Sequence, residues 1–176
     1  MSVRSLVALS VGTCALVALP LSAAMAGRAA GPPRVVLHAG GHAQRGGLAW
    51  EEWTSGDGQH CVTASGDGPG TFPRPARLSP GRHGPSFVLF RRQRPSDIEV
   101  TAWHKLDRRG YQTGPSEAPP HTLHPHRNAA GDVTAWLVRF DVNVPPPYYL
   151  HLYAAWPAGK CEGPRDLLRT YAITAR

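Results

Sequence analysis

Three histidines within six residues form the densest histidine cluster in this sequence. They are His121, His124 and His126. Imidazole is the commonest protein ligand of transition metals, so the set predicts a surface site for Cu(II), Zn or Ni, which His38 and His42 could extend. Metal centres are normally held by rigid elements, whereas these histidines lie in a proline-rich stretch between Tyr111 and Asn128. The composition therefore favours a solvated loop, with a metal site as the alternative.

A second candidate site consists of aromatic rings on the exposed face of predicted strands. Strand alternation groups these rings with polar residues such as Glu99, Thr101 and His151. The rings are those of Trp103, Tyr149 and Tyr153. Planar rings on an exposed face stack on sugar rings, so they predict a sugar-binding platform. The alternative, which the sequence favours, is that both faces of the sheet are covered and that these rings only pack against other residues of the fold.

Clustered arginines near a turn form a third candidate site. They are Arg91, Arg92 and Arg94. Such a cluster would hold an anionic cell-wall polymer or polysaccharide with an affinity that falls as salt rises. The alternative is a solvated turn, and nucleic acid is not expected because no nucleic-acid-reading motif is present.

No arrangement of residues predicts an enzyme. The sequence has no Gly-x-Ser-x-Gly elbow, and His104 and Asp107 are close only at the end of a predicted strand. Glu51 and Glu52 are adjacent, so on a strand their carboxylates point to opposite faces. We therefore expect no catalytic activity and no cofactor, and a small secreted hydrolase is the least supported alternative.

Residues 1–26 have the pattern of a cleavable secretion signal. Arg4 provides the positive start, the stretch 6–21 is mainly apolar, and Ala24-Met25-Ala26 precedes the expected cut. A retained membrane anchor is the alternative, but Ala, Ser, Gly and Thr dilute the stretch and Pro20 lies near its end. No second apolar run follows. The sequence predicts a secreted protein, either free outside the cell or associated with the cell wall, with no membrane span after cleavage.

The remaining chain, residues 27–176, has the size of one domain and is basic. Of the 19 Lys and Arg in the full sequence only Arg4 lies in the signal, leaving 18 against 12 Asp and Glu in residues 27–176, a net charge of +6 with neutral His. The arginines accompany abundant Ala, Gly and Pro, which favours a genome-composition effect over selection for anionic partners.

Cys61 and Cys161 are the two cysteines left after the signal is removed. In an oxidising compartment such a pair predicts one disulfide. Because Cys161 follows the last residues of a predicted strand, we expect the bridge to clasp an early strand to a late loop.

Short runs of alternating apolar residues, separated by many Gly and Pro, predict an all-β fold. The clearest strands are 132–144 and 148–156, which we expect to pair or face each other. Phe87 to Arg92 and Ile98 to Trp103 suggest a hairpin, and Val35 to His38 an edge strand or part of a mobile tail. About seven or eight strands predict a two-sheet antiparallel sandwich of immunoglobulin or fibronectin character, with a closed barrel as the alternative.

We therefore divide the chain into a signal peptide (1–26), a flexible Gly/Pro-rich segment (27–47) and a β-sandwich domain (48–176). The function expected from the sequence is non-catalytic binding or scaffolding outside the cell, with an unknown ligand. A surface metal-binding protein is the first alternative.

Overall fold

The computed structural model describes residues 31–78, 84–141 and 147–175, and these form strands and loops without a helix. In chain order the strands are β1 (Val35–Ala39), β2 (His42–Arg45), β3 (Gly47–Gly56), β4 (Cys61–Asp67), β5 (Ala76–Leu78), β6 (Ser86–Leu89), β7 (Asp97–Trp103), β8 (Lys105–Leu106), β9 (Gln112–Thr113), β10 (His121–Arg127), β11 (Val133–Phe140), β12 (Tyr148–Ala155) and β13 (Arg165–Ala175). The predicted signal, 1–26, lies outside the described residues. Within the described ranges, no helix is long and apolar enough to cross a membrane.

Two large sheets form the fold. Sheet A has the strand order β10-β11-β6-β1-β2, and all its pairs are antiparallel. Sheet B has the order β4-β3-β13-β12-β7, also antiparallel, and β5 joins the end of β13 in parallel. The short strands β8 and β9 form a separate hairpin. The predicted two-sheet antiparallel sandwich is confirmed.

The core lies between the sheets and is built by strand alternation. Phe87 of sheet A is fully buried, stacks on Phe140 at 5.0 Å between ring centroids, and contacts Tyr171 of sheet B at 4.8 Å. In β12, Tyr148, Leu150 and the other even-numbered residues are buried, as the sequence predicted. Strands β11 and β12 belong to different sheets and do not pair, and both contribute side chains to this core.

Two predictions about strand pairing are wrong. The run Phe87 to Arg92 does not form a hairpin with Ile98 to Trp103, because β6 lies in sheet A and β7 in sheet B. The connection through the buried Pro95 crosses from one sheet to the other. The stretch Val35 to His38 is neither an edge strand nor part of a tail, since β1 lies between β6 and β2.

The structure also places strands inside the segment 27–47, which the sequence analysis set before the sandwich domain. β1 and β2 belong to this segment and complete sheet A, with Leu37 fully buried in the common core. The sandwich therefore includes residues from Val35 onward. The extra strands raise the number of described strands above the seven or eight expected, and several have only two to four residues.

The predicted disulfide between Cys61 and Cys161 is present, with 5.7 Å between the two Cα atoms. Cys61 begins β4, the edge strand of sheet B, and Cys161 lies in the connection from β12 to β13. The bridge therefore clasps an early edge strand to a late loop. It does not cross the core between the two sheets.

Candidate ligand-binding surfaces

The outer face of sheet A is a continuous surface that combines cationic and apolar side chains. Core residues occupy the inner positions of its strands, so alternation turns the intervening residues outward. The register aligns one row across all five strands: Arg45, Val36, Val88, Leu137 and His124. The next row contains Ala43, His38, Ser86, Arg139 and Thr122. We call these two rows, with Arg34 and Phe90, the basic face.

One end of the basic face is a shallow depression of about 280 Å³. It is lined by Arg34, Val36, His38, Ala43, Arg45 and Phe90. The Arg34 guanidinium lies 4.2 Å from the centroid of the Phe90 ring, and Phe90 is 41% exposed. Arg34 and Phe90 are both exposed, so a ligand can reach either group from solvent.

Charge is divided between the two sheets. The described strands of sheet A carry three arginines and five histidines and no Asp or Glu. The acidic residues nearest to them in sequence, Asp132 and Asp141, lie just outside β11. The strands of sheet B carry six carboxylates against three arginines. The basic residues are dispersed in the sequence, but folding gives the strands of sheet A a net positive charge and those of sheet B a net negative charge.

The predicted histidine loop is a strand. β10 forms the outer edge of sheet A and pairs along its length with β11, so the loop expectation is wrong. Pro125 is tolerated because an edge strand has one side without a ladder partner. Alternation then divides the cluster: His124 and His126 project from the outer face, whereas His121 projects with Leu123 from the other.

The three histidines make separate local contacts. His121 Nδ1 lies 3.4 Å from the Pro119 carbonyl, and His124 Nε2 lies 3.0 Å from Thr122 Oγ1. His126 Nδ1 is 3.2 Å from Thr134 Oγ1. In the part of the chain that the structure describes, no group of three or more His, Cys, Asp or Glu is arranged to hold a metal ion. The geometry therefore gives the metal hypothesis no additional support.

The three aromatic residues of the second candidate site share the outer face of sheet B. Trp103 on β7 lies directly opposite Tyr149 on β12, and Tyr153 lies opposite Glu99. All three rings are half-buried. Phe72 contacts the Tyr149 ring edge-on at 5.3 Å and stacks on His151 at 5.6 Å, so a loop covers part of this face.

The surroundings of these rings are acidic. The Tyr153 hydroxyl donates to Asp166 Oδ2 at 3.3 Å, and Asp97 and Glu99 lie on the neighbouring strand β7. Burial and these carboxylates raise the pKa of Tyr153, and burial lowers the pKa of His151. The aromatic residues and the clustered arginines therefore do not form one site, and an anionic polymer would be repelled from this face.

The arginines of the third candidate site have different environments. The Arg91 guanidinium is half-buried 4.5 Å from the Trp53 ring centroid, and burial together with nearby Arg165 lowers the pKa of Arg91. Arg92 is exposed, while its carbonyl accepts a hydrogen bond from Trp136 Nε1 at 3.1 Å. Arg94 is exposed and lies 5.7 Å from the Trp136 ring centroid. Arg91 packs within the fold, whereas Arg92 and Arg94 remain accessible.

A pocket of about 480 Å³ lies where the edge strands β10 and β7 approach each other. It is lined by Arg94, Pro95, Ser96, Asp97, Ile98, His121, Leu123 and Pro157. The structure thus brings together Arg94 and His121, which the sequence analysis had assigned to unrelated candidate sites.

The residues considered for catalysis make other contacts. Glu51 pairs with Arg169, and His104 Nε2 lies 3.1 Å from Glu117 Oε1 instead of contacting Asp107. Asp107 Oδ1 accepts hydrogen bonds from the backbone N–H groups of two later turn residues. Glu51, His104 and Asp107 therefore each have a local structural contact.

Comparison with protein families, curated proteins and solved structures found no match. Sequence reasoning missed Arg34, Arg45, Phe90 and Arg139, whose common surface depends on the pairing of distant strands. The signal available in the sequence was the absence of Asp and Glu from the segments that form sheet A.

Proposed function

We propose that the protein is a non-catalytic extracellular binding protein that holds an anionic polysaccharide on its basic face. The division of charge between the sheets carries this proposal. A row of five strands is about 19 Å wide, since neighbouring strands are about 4.8 Å apart. That width accommodates an extended chain of several charged sugar units, with contacts to Arg45 at one end and His124 at the other.

The composition of the face suits a polysaccharide. Guanidinium groups bind carboxylates and related anions through paired, charge-assisted hydrogen bonds. Val88 and Leu137, both half-buried, continue the row from the buried Val36 and form an apolar strip between the cations, on which the C–H faces of sugar rings can lie. The absence of carboxylates from the described strands of this sheet removes the repulsion that an anionic chain would otherwise meet.

The test compares two double variants with the same reduction in charge. Arg45→Gln/Arg139→Gln alters the basic face, whereas Arg108→Gln/Arg109→Gln alters exposed arginines of the turn between β8 and β9. Retention on immobilised polygalacturonate is measured across a salt series, with uncharged dextran as the reference matrix. We expect the basic-face variant to elute at lower salt, with the slope of log affinity against log salt reduced by about 1 for each arginine–anion pair removed.

The control variant should elute near the wild-type position, because its arginines lie outside sheet A. Equal shifts in both variants would show that net charge alone determines retention and would overturn the assignment of the face. Failure of the wild-type protein to bind polygalacturonate at low salt would overturn the proposed function. Thermal melting of each variant establishes that the fold is retained.

Export is part of the same proposal. The signal pattern of residues 1–26 and the Cys61–Cys161 bridge support it, because disulfides persist mainly in oxidising compartments. We expect the protein in the culture medium or wall fraction to begin at Gly27. An N-terminus at Met1 in that fraction would contradict cleavage. The immunoglobulin- or fibronectin-like class also stands as a proposal, supported by the two antiparallel sheets.

A further inference from the structure

The pocket between β10 and β7 has the chemistry of a binding site for one small polar molecule. Its volume of about 480 Å³ falls within the range of about 300–1,000 Å³ usual for ligand pockets. Ile98, Leu123 and two prolines provide an apolar lining, and both Ile98 and Leu123 pack against the core. Arg94, Ser96, Asp97 and His121 add polar groups around it.

The charged groups of this pocket do not pair with one another. Arg94 and Asp97 line the same pocket but form no ion pair with each other or with another described residue. His121 Nδ1 lies 3.4 Å from the Pro119 carbonyl, and a hydrogen bond between them requires the proton on Nδ1, because a carbonyl oxygen can only accept. In the neutral imidazole, Nε2 is then left as an acceptor. Among the described residues, the pocket thus offers a carboxylate and a hydrogen-bond acceptor with no side-chain partner, and a guanidinium that lies 5.7 Å from the Trp136 ring centroid but has no carboxylate partner.

We propose that this pocket binds a single sugar ring that carries an anionic group, such as a uronic acid unit. Arg94 pairs with the anionic group of the sugar, and Asp97 and His121 accept hydrogen bonds from its hydroxyls. The apolar lining contacts the C–H face of the ring. This inference rests on the proposed function, since it assigns one unit of the bound polysaccharide to a defined position.

Strand β10 connects this pocket with the basic face. His121 and His124 are three positions apart on that strand, about 10 Å, and project from opposite faces. A polysaccharide lying across the basic face therefore reaches the edge of sheet A at β10. Its terminal unit can turn around that edge into the pocket, which gives the surface a preference for chain ends.

The same pocket contains a serine, a histidine and an aspartate, but their arrangement is not that of a catalytic triad. A triad requires hydrogen bonds from serine to histidine and from histidine to the carboxylate. Ser96, Asp97 and His121 form no such bonds with one another among the described residues. The geometry is therefore that of binding.

The test measures binding of methyl glucuronide and methyl glucoside by two-dimensional NMR titration of the full-length mature protein. We expect the glucuronide to shift the amide signals of Ile98 and Leu123, and the uncharged glucoside to bind much more weakly. Arg94→Gln should weaken glucuronide binding by about ten- to a hundredfold, because it removes a charge-assisted hydrogen bond. Arg92→Gln is the matched control, since Arg92 is exposed on the same connection but does not line the pocket.

Equal weakening in the Arg94 and Arg92 variants, or glucuronide binding that leaves the signals of Ile98 and Leu123 unchanged, would overturn the pocket. So would equal affinity for the two glycosides, since Arg94 would then have no role in selection. Polygalacturonate retention and glucuronide binding of the wild-type protein, measured side by side, separate the two proposals. Retention of the polymer without glucuronide binding in the wild-type protein overturns the pocket alone, whereas loss of polymer binding in the wild type overturns the basic face.

Discussion

Removal of the Cys61–Cys161 disulfide should destabilise the protein without abolishing its fold. The variant Cys61→Ser/Cys161→Ala makes this change with little disturbance of packing. Cys61 is exposed at the start of β4, so serine is accommodated there, whereas Cys161 is 2% exposed and alanine avoids burying a hydroxyl. The bridge closes a loop with a sequence separation of 100 residues.

The size of the effect follows from two opposing contributions. Loss of a cross-link across about 100 residues increases the entropy of the unfolded chain and costs about 4.7 kcal/mol. β4 has no buried residue, so without the bridge this edge strand can fray in the folded protein and recover part of that entropy. We expect the free energy of unfolding to fall by about 3–4.5 kcal/mol, which corresponds to a decrease in Tm of about 6–18 °C.

Urea unfolding followed by tryptophan fluorescence measures the loss, and hydrogen exchange locates the fraying. The m-value should rise, because the unfolded variant exposes more surface. Amides of β4 should exchange faster than those of β12, which has buried residues on alternate positions. Dithiothreitol should destabilise the wild-type protein and leave the variant unchanged, which controls for effects of the reagent. A loss below about 1 kcal/mol, or two free thiols in the purified mature protein, would refute the reasoning.

Two further predictions concern the core and the outer face of sheet B. Phe87→Ala should lower the free energy of unfolding, measured by urea titration, by about 3–5 kcal/mol, because Phe87 is fully buried against Phe140 and Tyr171. A loss below about 1 kcal/mol would contradict this packing. Burial lowers the pKa of His151 in the folded state below its usual 6.5, so the unfolded chain binds the proton more readily than the folded one. The free energy of unfolding should therefore rise with pH up to about 6.5. His151→Phe keeps a ring beside Phe72, and it should flatten the rise in the free energy of unfolding between pH 5 and 7.5. Parallel stability–pH curves for the variant and the wild-type protein would instead assign the rise to other titrating groups.

The parts of the fold that could be predicted from the sequence are those in which alternation alone fixes the buried face. In β12, each even-numbered residue from Tyr148 to Ala154 is buried, and the same period in β11 buries Val138 and Phe140. The cysteine pair was predictable for a different reason, since two cysteines permit only one intramolecular bridge. These inferences require no knowledge of which strands are neighbours.

Strand pairing could not be predicted in the same way. Two β-runs separated by a Pro-containing turn have the same local pattern whether they pair or enter opposite sheets, as β6 and β7 do. β10 has three histidines and Pro125 in a seven-residue strand, and its polarity reflects its position at the edge of a sheet. Local composition does not distinguish such an edge strand from a loop.

The candidate surfaces depended most on this missing information. Arg45 and Arg139 are far apart in the sequence, and they share a face only because β1 and β6 lie between their strands. The pocket likewise requires two edge strands from different sheets to lie on the same side of the sandwich. Candidate residues could be identified by type, but their grouping required the register.

The opposite net charges of the two sheets also give the molecule an electric dipole, which an external field can orient. Near a polyanion, attraction of sheet A and repulsion of sheet B produce a torque that turns the protein before contact, within a Debye length of about 8 Å at physiological salt. If the proposed function holds, most encounters then begin with the basic face towards the polyanion. Added salt should consequently slow association more than it speeds dissociation, so the dependence of affinity on ionic strength should arise mainly from the association rate.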